Sequence, residues 1–309
     1  MARKKFRGRN LSGLLLLDKP PGLTSNQALQ EVKKIFFAKK AGHTGSLDPI
    51  ATGILPICFG EATKFSQFLL DTDKKYQITC RLGTKTTSQD SQGEITETLA
   101  VPDLTPEQIK KELKNFLGPQ MQTPPMHSAI KVNGKPLYKL AHQGKEIERQ
   151  ARPIEIYSFE MVKILDKQTL LLEVHCSKGT YARTLIADLG DNLGCGAHVS
   201  GLRRTGFGAF NIEETVSMDK IHELYRQQDD FTGLNKLILP VDETLRNIDK
   251  IELSPDEKFY ILQGQPIQVN QPVKEGLLRM YFKDEFIGIG QILDDGRLGP
   301  KRLIKRENP

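Results

Sequence analysis

The chain has 309 residues, 38% hydrophobic and 27% charged, enough apolar material for a full core divided over two domains, which excludes a disordered or fibrous chain. Its formal charge of +6 is unevenly spread: residues 1–40 carry ten cations against Asp18 and Glu31, a balance of +8, so the other 269 residues sum to about −2. A cationic end of this kind suits a polyanionic partner, because each neutralised phosphate releases counterions, although a solvated basic tail has the same composition.

Gly13 to Leu17 reads as a short buried strand. Its aliphatic stretch, Leu14 to Leu17, falls far short of the roughly 20 residues of a membrane span. No apolar segment with a cleavage site follows the basic start, and Cys58, Cys80, Cys176 and Cys195 show no CxxC spacing, so a reduced, cytoplasmic protein is expected. Asp18-Lys19-Pro20-Pro21-Gly22 breaks the strand, and Ser25 then caps a helix whose Leu29, Val32, Ile35 and Phe36 share a face. A glycine-rich loop, Ala41 to Gly53, precedes a helical reading over Gly60 to Leu70. The next run alternates as a strand, with Tyr76, Ile78, Cys80 and Leu82 on its apolar face.

Thr84 to Gly93 is a polar, turn-rich connection. Thr105-Pro106-Glu107-Gln108 then opens a helix with Thr at the cap and Gln at its third position. Between Met126 and Pro153 six cations (Lys131, Lys135, Lys139, Lys145, Arg149, Arg152) face only Glu146 and Glu148 and are interleaved with His127, Tyr138 and His142. Rings among cations suit base stacking beside phosphates, as does a plain charged hairpin. Pro153 to Cys176 resumes strands, Thr180 to Leu193 is helical, and Glu223 to Thr244 is a polar, partly helical bridge. After Asp249 the texture becomes short strands (Ile251 to Leu253, Pro266 to Val269, Leu277 to Phe282, Phe286 to Leu293), closing on Lys301, Arg302, Lys305 and Arg306.

The loop Gly42-His43-Thr44-Gly45-Ser46-Leu47-Asp48-Pro49-Ile50-Ala51-Thr52-Gly53 holds one acid and one imidazole in backbone that can turn tightly, so it is either a site or an Asx turn at Asp48. It ends in no Gly-Lys-Ser/Thr, and the chain has no GxGxxG, GxSxG or HExxH, which counts against nucleotide-binding and hydrolase readings. His175, Cys176, Cys195 and His198 are poorly placed for zinc, since adjacent residues of a strand point to opposite faces.

Five segments together resemble the TruB-type tRNA pseudouridine synthases: Leu17-Asp18-Lys19-Pro20-Pro21-Gly22, Gly42 to Pro49, Lys75-Tyr76, Ser177-Lys178-Gly179-Thr180-Tyr181-Ala182-Arg183, and Leu193-Gly194-Cys195-Gly196-Ala197-His198. The resemblance implies an α+β fold with a mixed, mainly antiparallel central sheet over residues 1–249, a thumb-like insertion at about 126–153 gripping the T-loop, and a small PUA-like β domain at 250–309. It implies isomerisation of the T-loop uridine, position 55, to pseudouridine: the N1–C1′ bond breaks, the base turns, and C5 joins C1′. No redox step, metal or external energy is required, so no cofactor is expected. One carboxylate suffices, unlike the pair in glycosidases, because no water need be activated.

The same resemblance implies that Asp48 is the catalytic acid, acting at the sugar, at the base or on the C2′ proton. It makes Tyr76 a catalytic residue that stacks on the flipped uracil and takes part in removing the C5 proton, and Arg183 the ion-pair partner of Asp48. His43 helps extrude the base, Tyr181 and Leu202 contact the target nucleotide, and Lys19, Lys64, Asp90 and Lys131 join the RNA-binding set, Asp90 as a polar neighbour. The partner is tRNA, gripped at the T-arm and at the acceptor side by the C-terminal domain, with no membrane and a monomeric enzyme expected. His127 stands where the family commonly has Tyr or Phe, His142 where Arg is common, and Leu202 to Phe210 lacks an Arg-Ser-Gly-Pro pattern. Two other classes compete: a noncatalytic tRNA-folding protein, and a metal-dependent nuclease or glycosidase, which would need a second acid close to Asp48 in sequence.

Overall fold

A computed structural model describes residues 8–132, 134–141, 143–227, 230–269 and 275–305. Arg3, Lys4, Lys5, Arg7, His142 and Arg306 lie outside the described residues. Eight strands form the spine of a ten-stranded mixed sheet: β1 (Gly13–Lys19), β2 (Ala51–Phe59), β3 (Lys74–Leu82), β4 (Gly118–Gln122), β5 (Arg152–Asp166), β6 (Thr169–Cys176), β7 (Ala197–Phe207) and β8 (Val216–Ser217). Their order is β8-β1-β2-β7-β3-β6-β5-β4, antiparallel except for β8 beside β1 and β2 beside β7.

Three amphipathic helices, α1 (Ser25–Ile35), α2 (Pro106–Lys114) and α3 (Ala182–Asn192), bury their apolar stripes against one sheet face with Ile78, Cys80, Leu82, Leu172 and Val174. At one end the other face is covered by Leu14, Leu16, Ile54, Phe207 and Phe210. The alternation read for β3 places Ile78, Cys80 and Leu82 in the core, with Tyr76 packed against its edge.

A second sheet of four strands, β9 (Lys250–Glu252), β10 (Leu277–Phe282), β11 (Glu285–Ile292) and β12 (Leu298–Leu303), has its own buried cluster around Ile261, Met280 and Leu298. It meets the larger sheet's layer where Phe286 packs on Phe65 at 5.7 Å and Lys305 N–H donates to Glu61. Among the described residues no helix is long and apolar enough to cross a membrane.

The local readings need several corrections. Thr24 caps α1, forming a capping box with Gln27, whereas Ser25 is the first helical residue and turns its hydroxyl inward. Gly60 to Leu70 is two pieces, a 3₁₀ turn at Gly60–Lys64 and a short helix at Ser66–Leu70, because Phe65 closes the first turn. The glycine-rich loop is shorter than read, bounded by a strand at Ala41–His43 and by β2 from Ala51. Thr84–Thr86 pairs with Ile95–Thr98 as a hairpin. Of Pro266 to Val269 only Ile267 pairs, in a bridge to Leu298. Several elements had no reading of their own: the central strand β7, strands β4 and β8, the helix at Met218–Gln227, which starts ahead of Glu223, β12, and a helix α4 at Pro255–Leu262, capped by Ser254 with Glu257 completing the box.

Candidate active site

Asp48 lies in the turn that leads into β2, and that turn is fastened at every second residue from Gly45 to Pro49. Arg204 donates to Gly45 O at 2.7 Å. The Ser25 hydroxyl donates to Leu47 O and accepts Leu47 N–H, at 3.0 and 2.7 Å. Gly22 N–H donates to Pro49 O at 2.8 Å. Beneath it, Lys19 is fully buried and gives its ammonium to Pro20 O, Leu23 O and Pro49 O at 2.8, 2.7 and 3.5 Å. The loop thus presents one carboxylate on a fixed backbone.

Arg183, in the first turn of α3, meets that carboxylate side-on: Nε is 2.9 Å from Oδ2 and Nη2 is 3.3 Å from Oδ1. The same guanidinium donates to Ser88 O at 2.9 Å and to His127 O at 2.6 Å, and stands 3.7 Å from the buried Asp90 carboxylate. Three segments far apart in sequence therefore converge on one buried cation, whose side chain is 5% exposed. Enclosure pushes the Asp48 carboxyl above the ordinary range, Arg183 pulls it back, and Asp90 adds to the rise. The net direction is upward, and with 38% of its side chain open to the cleft Asp48 is oriented by this two-point pair.

The cleft beside this pair encloses about 620 Å³ and is lined by Asp48, Arg183, Tyr76, Tyr181, Leu202 and Lys74, among others. That volume admits a nucleotide. Strand register explains why these residues meet: Tyr76 of β3 pairs with Arg204 of β7, which pairs in turn with Gly53 of β2. Gly53, at φ +97°, permits this approach, since a Cβ there would sit 2.2 Å from Arg204 O.

Arg204 is 1% exposed and is satisfied by neutral groups: the Ile54 and Gly45 carbonyls, the Tyr76 hydroxyl, and the Phe207 ring at 4.8 Å. Burial pushes the Tyr76 phenol up, against the pull of Arg204, so it stays neutral. Burial likewise draws Lys19 and Lys74 down to about 8 and lowers His43, leaving its imidazole uncharged at neutral pH. His43 Nδ1, Thr44 Oγ1 and Ser128 Oγ are buried without hydrogen-bond partners among the described residues.

The structure thus gathers Asp48, Tyr76, Arg183, Tyr181 and Leu202 at one cleft, with Lys19 and Asp90 directly behind it. His43 sits at the start of the same loop. Lys64 is elsewhere, at the junction of the two sheets, paired with Glu61 at 2.6 Å and donating to Leu303 O. Lys131 is exposed on a two-residue strand of the insertion. Among the described residues no three of His, Cys, Asp and Glu gather as metal ligands would. Sequence reasoning missed Arg204, Ser88 and Gln122, whose partners are largely backbone groups.

Known proteins bear on this arrangement. A family model described as "TruB family pseudouridylate synthase (N terminal domain)" matches residues 33–182, and two C-terminal models, of tRNA pseudouridylate synthase B and of pseudouridine synthase II TruB, match 183–246 and 250–304. The chain is 49% identical over 310 residues to the tRNA pseudouridine synthase B of Tolumonas auensis, covering 98% of this chain and 95% of that one. It is 48% identical to the enzyme of that name from Nitrosococcus oceani, covering 98% and 97%. Among solved structures, an H/ACA RNP bound to a substrate RNA containing 2′-deoxyuridine has a chain that superposes with a TM-score of 0.72 over 95% of this chain and 85% of its own. At 24% identity that likeness is one of fold.

Proposed function

The chain belongs to the TruB family of pseudouridylate synthases and isomerises uridine to pseudouridine in tRNA, and from that premise we propose that its target is the T-loop uridine at position 55, opened by Asp48. The observation that carries the reading is the single cleft carboxylate paired with Arg183 at two points and oriented by it. A retained base needs only one such group, because the leaving uracil is itself the nucleophile that returns through C5, which then loses its proton while N1 gains one. Asp48 initiates cleavage of the N1–C1′ bond, and its rigid loop avoids reorganisation as charge develops.

Tyr76 supplies the face on which the extruded uracil stacks, its ring backed by Arg204, while Tyr181 and Leu202 close the pocket. His43, neutral and beside the catalytic turn, helps displace the base from its stack, an unstacking that costs a few kcal/mol. Lys19 holds the turn from below and Lys74 lends positive charge to the cleft wall. The basic insertion, including Lys131, is assigned to the T-arm, and residues 250–309, with Lys64 at their junction, to the acceptor side of a tRNA bound by one protomer.

The test is Asp48→Asn. Binding of unmodified tRNA should stay within about threefold of wild type while product formation disappears, because the amide keeps the shape and loses the charge. Turnover retained by this variant would overturn the assignment.

A further inference from the structure

The strand that leads into the basic insertion ends on Gln122, which is 5% exposed. Its side-chain amide faces the backbone of Tyr181 and pairs with it as a neighbouring strand would. Nε2 donates to Tyr181 O at 3.2 Å, and Oε1 accepts Tyr181 N–H at 2.8 Å. Tyr181 is the N-cap of α3, but its side chain makes no capping hydrogen bond. No acid lies in the helix's first turn, and the cation Arg183 lies there instead, the arrangement least favoured by the helix dipole. A helix start of this kind frays unless something outside it holds the chain.

We propose that Gln122 is a positioning residue for the reaction: it clamps the first turn of α3 so that the Arg183 fork stays seated on Asp48. The inference rests on the roles given above to Asp48 and Arg183. Tyr181 presents one donor and one acceptor to this position, and only a carboxamide answers both. Glutamate would accept from the N–H but oppose the carbonyl, and methionine would fill the space and answer neither. Five residues beyond Gln122, His127 O takes a second hydrogen bond from Arg183. The root of the insertion therefore grips the catalytic arginine's helix at two points.

The experiment uses the full chain with Gln122→Met and Gln122→Glu, measuring the single-turnover rate on an unmodified tRNA transcript, tRNA affinity by filter binding, and the folded fraction by melting. The rate per folded molecule is expected to fall about 10- to 100-fold in Gln122→Met, with affinity within about threefold, and to fall less in Gln122→Glu. An unchanged rate per folded molecule with a lowered melting temperature would overturn the proposal, as would weakened binding at an unchanged rate. Should Gln122→Met fail to fold, Gln122→Glu decides by the same criteria. Asp48→Asn run alongside separates the two claims: if it is inactive while Gln122→Met works at the wild-type rate, only this inference falls.

Discussion

Replacing Arg183 by Met fills most of the same space and removes every polar contact of the guanidinium. Two unit charges about 4 Å apart attract by roughly 4 kcal/mol at an effective dielectric of 20. Solvent reaches 38% of the Asp48 side chain, so about half of that survives screening, roughly 2 kcal/mol or about 30-fold in rate before any loss of orientation. Stability suffers separately, because Asp90, Ser88 O and His127 O are left facing methionine. Breaking a buried pair of this kind costs about 3 kcal/mol, or roughly 6–10 °C of melting temperature in a chain of this size. Arg183 lowers the Asp48 carboxyl, so without it the carboxyl rises further and the acid limb of the single-turnover profile moves to higher pH. Adding Asp90→Asn should recover part of the lost stability and none of the rate. Single-turnover rates across pH, with melting curves for both variants, provide the check; an unmoved acid limb together with an unchanged melting temperature would refute the reasoning.

Two further outcomes follow from buried groups. Lys19 and Lys74 are both drawn down to about 8, so kcat/KM should fall as pH rises through that value, and less steeply in Lys74→Arg; a profile flat to about pH 9.5 would contradict this. Their folded values lie below the unfolded 10.5, so between these limits the unfolded chain holds more protons, and this pair's contribution to stability, read by melting, should rise with pH while activity declines. Gly53→Ala places a methyl 2.2 Å from Arg204 O at φ +97°, which should cost about 3 kcal/mol by chemical denaturation, and a loss under about 1 kcal/mol would show that β2 and β7 can part there.

Much of the fold was legible because its signals are periodic or local. The alternation from Tyr76 to Leu82 and the Thr105 capping box needed no tertiary information. Some errors were avoidable. Thr24, three residues before Gln27, and Ser254, three before Glu257, carry the box that Ser25 lacks, so the cap of α1 and the existence of α4 were both readable. The break at Phe65 was not, since it depends on that ring packing against the second sheet. In the site, the glycine-rich backbone around Asp48 left a site acid and an Asx turn equally open, and only the family resemblance separated them. Gln122 and Ser88 were not legible, because the Gln122 amide meets only backbone atoms of Tyr181 and Ser88 meets Arg183 through its own carbonyl, groups that every residue possesses.

Arg203 and Arg204 show how far charge counting can mislead. They are neighbours in β7, and the period of two sends them to opposite sides of the sheet. Arg203 pairs with Asp18 at 2.7 Å where solvent still reaches both. Arg204 enters the core behind Tyr76 and meets no carboxylate in any of its hydrogen bonds, only carbonyls, the phenol and a ring. A buried cation held by neutral dipoles keeps more of its field for whatever enters next, and on the proposed function that is an RNA phosphodiester and a base whose departure generates negative charge. Lys19, counted among the ten cations of the first forty residues, is buried behind the same turn. Among the described cations of the first forty residues, charge therefore has two fates: Lys34, Lys39 and Lys40 stand exposed, while Lys19 is a buried ammonium that fixes the turn carrying Asp48.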